Sequence, residues 1–132
     1  MIVADFSRVL AGPYAAMLLG DLGADVIKVE RPGSGDDTRA WGPPWHDGVS
    51  TYYLALNRNK RSVVLDLADP GDRALARTLA ERADVLIESF RPGLMASWGA
   101  RRRHDPRDEP EARLVLGHRV RQRRAGQRHA RL

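Results

Sequence analysis

The sequence predicts an α/β domain built on a parallel, Rossmann-like sheet with flanking helices, and three observations carry that prediction. Short apolar runs end in charged or turn residues, most clearly in Ala83–Gly93, where Val85, Leu86 and Ile87 lead into Glu88, Ser89, Phe90 and Arg91-Pro92-Gly93. Such a run reads as a parallel strand buried on both faces. Apolar residues at helical spacing separate these runs. The resulting order, strand–helix–strand, long loop, strand–helix–strand, is the one that parallel sheets with crossover helices use.

In chain order, Ile2-Val3-Ala4 followed by Phe6 forms a short first strand. Ala11-Gly12-Pro13 punctuates it, and Pro13 suits the first turn of a helix over 14–22, in which Tyr14, Met17, Leu18 and Leu22 recur at helical spacing. Gly20 and Gly23 bracket the helix end, so they read as a cap and not as part of a phosphate loop. Ala24–Glu30 is a second buried strand. Residues 31–50 carry Gly, Pro, Asp, Ser and two Trp and form a long loop, a length more often functional or mobile than inert. Thr51–Leu56 forms a short helix, Asn57–Arg61 a polar basic turn, and Ser62–Leu67 a third strand. Asp69 caps the next helix, with Pro70 at its first position and Asp72 in its first turn. That helix runs to about residue 82 on a stripe of Ala74, Leu75, Leu79 and Ala83 and returns the chain to the strand before Phe90. Ligands of open α/β sheets bind outside the carboxyl ends of the strands, which puts the candidate binding edge there.

At 132 residues the chain has room for one domain with a real core and not for two ordinary ones. No apolar run reaches the roughly 18–20 residues of a membrane span, and the first residues lack the pattern of a signal peptide. The absence of cysteine excludes disulfides and thiolate chemistry and fits a cytoplasmic protein. The formal net charge of +5 is unevenly spread. Residues 1–100 hold 11 Lys and Arg against 13 Asp and Glu, whereas residues 101–132 hold 11 Arg against 4 acids. The second stretch also lacks Phe, Tyr, Trp, Ile and Met, a composition that predicts disorder. The break near Gly99-Ala100 divides the chain into a folded part, 1–99, and an Arg-rich tail, 100–132.

Candidate chemistry is sparse. A dinucleotide fingerprint requires G-x-G-x-x-G after the first strand, and only Leu10-Ala11-Gly12-Pro13 stands there. Arg31 follows the second strand, Arg91 follows the fourth, and Lys60-Arg61 precede the third. Such cations pair with phosphates or stack on a base, and equally fit a solvated surface. Phe90 fits either core packing or a platform for a base, and Trp41 and Trp45 fit either a cover for a ligand or anchors for their loop. His46 has no second His, Cys or carboxylate at metal-ligand spacing, so no metal is expected. Asp5, Glu30, Asp66 and Glu88 lie near strand ends, where structural roles suit them. The basic tail alone would suit nucleic acid, but it lacks interleaved aromatics and any docking motif.

Three segments, DFSRVLAGPYAAMLLGDLGADVIKVERPGSGDDTR (Asp5–Arg39), NRNKRSVVLDL (Asn57–Leu67) and ADVLIESFRPG (Ala83–Gly93), in this order and spacing, resemble the family III CoA-transferases, a group that includes α-methylacyl-CoA racemases. The resemblance covers residues 3–99. It implies that coenzyme A, as substrate, binds along the strand ends through Leu10, Arg31, Leu65, Ser89 and Phe90, with Arg91 nearby. Arg31 would face the nucleotide part and Phe90 would pack against it; the family commonly has Asn where Ser89 stands. The resemblance also implies acyl-CoA and carboxylic acid substrates and an interlocked homodimer. It further implies a downstream aspartate that forms an acyl anhydride and then an enzyme–CoA thioester, chemistry suited to a carboxylate nucleophile. That aspartate has no counterpart in this sequence, so the expectation is a truncated transferase, inactive alone.

A shift of reading frame near codon 100 is the expected source of the tail. Taking the second and third bases of each codon with the first of the next, and choosing among synonymous codons, Asp105 to Arg121 can be read as Ile-Arg-Ala-Met-Asn-Pro-Lys-Leu-Val-Trp-Cys-Ser-Val-Thr-Gly-Phe-Gly. His129 to Leu132 similarly gives Met-Pro-Gly-Tyr. Both match landmarks of the family in the correct order. Racemases of the group place His where this Tyr falls, and every Leu codon has T in the middle, so the shifted codon at Leu132 begins with T and excludes His. The parent frame therefore resembles a transferase.

Overall fold

The computed structural model describes residues 1–91 and 94–97. Its elements are β1 (Ile2–Phe6), α1 (Ala11–Asp21), β2 (Asp25–Glu30), a 3₁₀ turn (Asp37–Ala40), β3 (Trp45–His46), β4 (Val49–Ser50), α2 (Thr51–Asn57), β5 (Lys60–Val64), α3 (Pro70–Arg82), β6 (Val85–Glu88) and α4 (Leu94–Ser97). β1 is central because it is apolar on both faces. Val3, Ala4 and Phe6 are all buried, and the strand pairs in parallel with β2 on one side and β6 on the other. The sheet order is β5-β2-β1-β6, and its strands are all parallel, the one feature of the sheet that the sequence predicted. From β1 the chain steps outward to β2 and β5, then α3 carries it back to the far side of β1. That reversal puts the topological switch point between β1 and β6.

Period-two alternation along the strands divides the core into two layers. Ala4, Phe6, Val29 and Leu65 pack with Ala76, Ala80 and Ala83 of the α3 side, and Val3, Val26, Val85 and Ile87 pack with Ala16 of α1. The face of α3 is rotated from the expected stripe. Ala74 and Leu75 are exposed, and the small residues Ala76, Ala80 and Ala83, with Leu79 beside them, meet the sheet. Alanines at this spacing let the helix backbone approach the strands closely.

Local chemistry fixes the ends. Gly23 adopts φ +93°, its N–H bonds the Gly20 carbonyl at 2.9 Å, and the Ala24 N–H bonds the Leu19 carbonyl at 3.0 Å. This is a Schellman cap that stops α1. Asp69 accepts from the N–H groups of Gly71 and Asp72 at 2.8 and 2.9 Å, and Ser50 caps α2 through the Tyr53 N–H. Two expectations shift. The third strand runs Lys60–Val64 and not Ser62–Leu67, because Lys60 and Arg61 pair in register with Val26 and Ile27 of β2, and the preceding turn shortens to Arg58 and Asn59, the latter at φ +59°. The 31–50 segment is not plain loop: the Asp36 carboxylate caps the 3₁₀ turn, and β3 and β4 form an antiparallel pair. The boundary near Gly99 and the Arg-rich tail lie outside the described residues. Among the described residues no helix is long and apolar enough to cross a membrane.

Candidate functional site

A cleft of about 310 Å³ opens at the carboxyl ends of the four parallel strands. Phe6 and Arg8 line it from the end of β1, Lys28 to Arg31 from β2, Leu65 to Ala68 from beyond β5, and Phe90 from beyond β6. Of the coenzyme A contacts that the resemblance implied, Arg31, Leu65 and Phe90 meet here, and of the strand-end acids Glu30 and Asp66 do. Leu65 is buried, with its N–H on the Glu30 carbonyl at 2.9 Å, and Phe90 packs from the cleft onto the α3 layer. Arg31 is half-exposed, with its Nε donating to Ser34 Oγ at 2.6 Å and its Nη2 in a short ion pair with Asp37. Leu10, Ser89 and Arg91 do not line the cleft. Leu10 is the half-exposed N-cap of α1 and Arg91 is exposed, while Ser89 Oγ accepts the Arg8 N–H at 3.2 Å. That contact ties the end of β6 to the end of β1, next to Val9, whose φ of +72° is costly for a β-branched residue.

The fold also holds a set of buried charges that sequence reasoning did not assemble, two pairs of them at the cleft and one beside the start of α1. Lys28, 1% exposed, pairs with Asp36 Oδ2 at 2.9 Å and donates to the Ser7 carbonyl at 3.0 Å. Lys60 reaches Asp5 Oδ2 at 2.9 Å, and both are buried side chains. Glu30 receives Arg39 Nε and Nη2 at 2.9 and 2.7 Å, Tyr53 Oη at 3.2 Å, Ser62 Oγ at 2.6 Å and the Asp36 N–H at 2.9 Å. Burial alone would push the Glu30 carboxyl up, but the Arg39, Ser62 and Asp36 donors together hold it at about 2. Asp36 is likewise held low, because the Thr38 N–H and Lys28 outweigh its burial. Burial lowers Lys60, partly offset by Asp5, and burial with the Glu30 charge raises Tyr53. The signal available in the sequence was a lysine inside an apolar strand, Val26-Ile27-Lys28-Val29, which a folded chain must partner.

Apart from Asp66 and Glu30, which line it, the other candidates separate from the cleft. Lys60 and Arg61 stand at the opposite, amino ends of the strands, where Arg61 pairs with Asp25. Trp41 lies against Tyr52 with ring centroids 5.3 Å apart, and a Cβ on Gly42 would come within 2.2 Å of the Trp45 ring. Both indoles thus anchor their loop. His46 is exposed beside Asp47. Asp66 and Glu88 accept the N–H groups of Ala68 and Phe90, so they shape the turns that carry the cleft wall.

Comparison with known proteins agrees with this architecture. The chain is 54% identical over 97 residues to human succinyl-CoA:glutarate CoA-transferase, a match covering 74% of this chain and 22% of that protein. It is 50% identical over 99 residues to acetyl-CoA:oxalate CoA-transferase of Acetobacter aceti, covering 75% and 25%. The crystal structure of a CaiB/BaiF family protein from Brucella suis superposes with a TM-score of 0.70 at 47% identity, over 75% of this chain and 27% of that one. The chain thus spans about a quarter of the length of the relatives it matches. A model of CoA-transferase family III matches residues 1–129, and the chain belongs to that family.

Proposed function

We propose that the cleft binds the nucleotide half of coenzyme A, and that residues 1–99 are the coenzyme A-binding part of an enzyme that moves coenzyme A between carboxylic acids. The observation that carries this reading is the convergence of Arg31, Leu65 and Phe90 at one cleft beyond the carboxyl ends of the sheet. A guanidinium at its rim suits a phosphate, and an aromatic ring and an aliphatic wall suit a base. Leu10, Ser89 and Arg91 belong to the same edge, with Ser89 holding two strand ends together and the other two meeting the longer, extended part of the ligand. Human and bacterial relatives that use succinyl-CoA or acetyl-CoA support acyl-CoA and carboxylic acid substrates. The homodimer and a cytoplasmic place of action complete the reading. On it, the 132-residue chain binds coenzyme A without turnover, since the nucleophilic aspartate falls outside it.

Isothermal titration of the 132-residue chain with coenzyme A tests this. Binding that weakens about tenfold or more in Phe90→Ala and Arg31→Ala is the expected result, each losing one ring contact or one charge-assisted bond. No measurable binding, or binding indifferent to both changes, overturns it. Residues 100–132 fit the same proposal as codons read out of frame. The gene sequence across codons 95–140 checks that directly, and codons that forbid the Asn-Pro and Gly-Phe-Gly reading refute it.

A further inference from the structure

Two arginines line the cleft, Arg8 beyond β1 and Arg31 beyond β2, both about half exposed. They share one carboxylate. Asp37, at the first position of the 3₁₀ turn, takes Arg31 Nη2 in a short ion pair and Arg8 Nη1 at 3.5 Å. The other acids are committed elsewhere: Asp5 to Lys60, Asp36 to Lys28, Glu30 to Arg39, and Asp66, which also lines the cleft, to the Ala68 N–H. Asp37 is therefore the one carboxylate, among the described residues, in ion-pair contact with these two guanidinium groups, and the trio carries a net positive charge.

We infer that Arg8 is a second phosphate-binding residue of the cleft, and that Asp37 is a resident carboxylate holding the place between the two guanidinium groups that a phosphate takes when the ligand binds. The inference rests on the coenzyme A reading above. Guanidinium forks accept carboxylate and phosphate in the same geometry, and a phosphate brings more oxygens and more charge than the carboxylate it displaces. Ion pairs exposed to this degree are weak and open readily. Without Asp37 the two like charges would repel and splay in the empty cleft. With it they stay aligned, and the ligand must compete for them, which keeps binding reversible in an enzyme that has to release an acyl-CoA product.

The test is titration calorimetry on the full 132-residue chain and its Arg8→Ala and Asp37→Asn variants, with two probes, coenzyme A and adenosine 3′,5′-bisphosphate. Both side chains are exposed enough for the variants to fold, which circular dichroism verifies. Arg8→Ala should weaken both probes about tenfold, the scale of one charged hydrogen bond. Asp37→Asn should tighten both by roughly three- to tenfold, and both shifts should shrink as salt screens the exposed charges. Unchanged affinity in Arg8→Ala, or unchanged or weaker binding in Asp37→Asn, overturns the inference. If coenzyme A binds the wild-type chain but the variants show no shift, the clamp fails while the coenzyme A reading stands. If the bisphosphate alone binds and the variants shift it as expected, the clamp stands and the coenzyme A reading fails. Binding of neither probe overturns both.

Discussion

Glu30→Gln puts the buried charge network to its most direct test. The Glu30 side chain is 2% exposed, and its two oxygens accept five donors: both Arg39 nitrogens, Tyr53 Oη, Ser62 Oγ and the Asp36 N–H. A glutamine of the same shape must turn its NH₂ toward either Oε1 or Oε2. At Oε1 it faces Arg39 Nε and the Asp36 N–H, and at Oε2 it faces Arg39 Nη2, so every orientation opposes donor to donor. The hydroxyls of Tyr53 and Ser62 can rotate to accept, but the guanidinium and the amide cannot. The depression of the carboxyl from 4.5 to about 2 corresponds to about 3 kcal/mol of stability at neutral pH. Arg39 is 40% exposed, and solvent screening brings the expected loss to about 2–3 kcal/mol. Because the folded-state value lies below the unfolded one, this contribution is complete above about 4.5 and disappears as pH falls through about 2. Urea denaturation followed by circular dichroism should therefore show a full deficit for Glu30→Gln at pH 7 that narrows only below pH 4.5 and closes toward pH 2. A deficit that stays constant down to about pH 2.5, or one under about 1 kcal/mol at pH 7, would refute the assignment of the charge as its cause.

Lys60→Met strands the fully buried Asp5, which then keeps only Ser7, and should cost about 3–5 kcal/mol in urea denaturation. The double variant Asp5→Asn with Lys60→Met should recover part of that loss, and losses that simply add would argue against the pairing. Gly12→Ala would place a Cβ 2.2 Å from Ser7 Cβ, inside the tight β1–α1 junction, so it should lower stability by about 3 kcal/mol or abolish folding. Ser7→Gly in the same chain should restore part of the stability if that contact is the reason.

Which parts of the molecule were legible in the sequence follows from how far each signal reaches along the chain. Asp69-Pro70 and Gly20-x-x-Gly23 announce helix ends through bonds two to five residues away, and both ends fall where that chemistry puts them. The apolar runs of β1, β2 and β6 are unambiguous because both faces are covered. β5 is an edge strand with its first two residues charged, and nothing local marks Lys60 and Arg61 as strand; their partners Asp5 and Asp25 lie 55 and 36 residues away. The rotation of α3 has the same origin. Leu75 looks like a better core residue than Ala76, but the orientation in which α3 meets the sheet is set by strands distant in sequence, and it buries Ala76 and exposes Leu75. Family resemblance reached Arg31, Leu65 and Phe90 through segments whose spacing is specific, whereas Arg8, Lys28 and Asp36 became site residues only once four strand ends were brought together.

The buried charges and the exposed ones then divide the work of the cleft. Asp36 with Lys28 and Glu30 with Arg39 at the cleft, and Asp5 with Lys60 beside the start of α1, are three anions matched one to one with three cations, so this layer, which includes the floor, contributes alignment and almost no net field. Their bonds fix the carboxyl end of β2, the 3₁₀ turn and the start of α1 as one unit: Asp36 alone bonds Glu30, Thr38 and Lys28. A neutral floor cannot draw an anion. Attraction must come from the rim, where Arg8 and Arg31 meet the ligand once it displaces Asp37, while Asp66, the exposed carboxylate of the lining, is occupied with the Ala68 N–H. Substitutions in the floor should therefore appear mainly as lost stability, and substitutions at the rim mainly as altered, salt-dependent affinity, because only the rim changes the charge that the ligand meets.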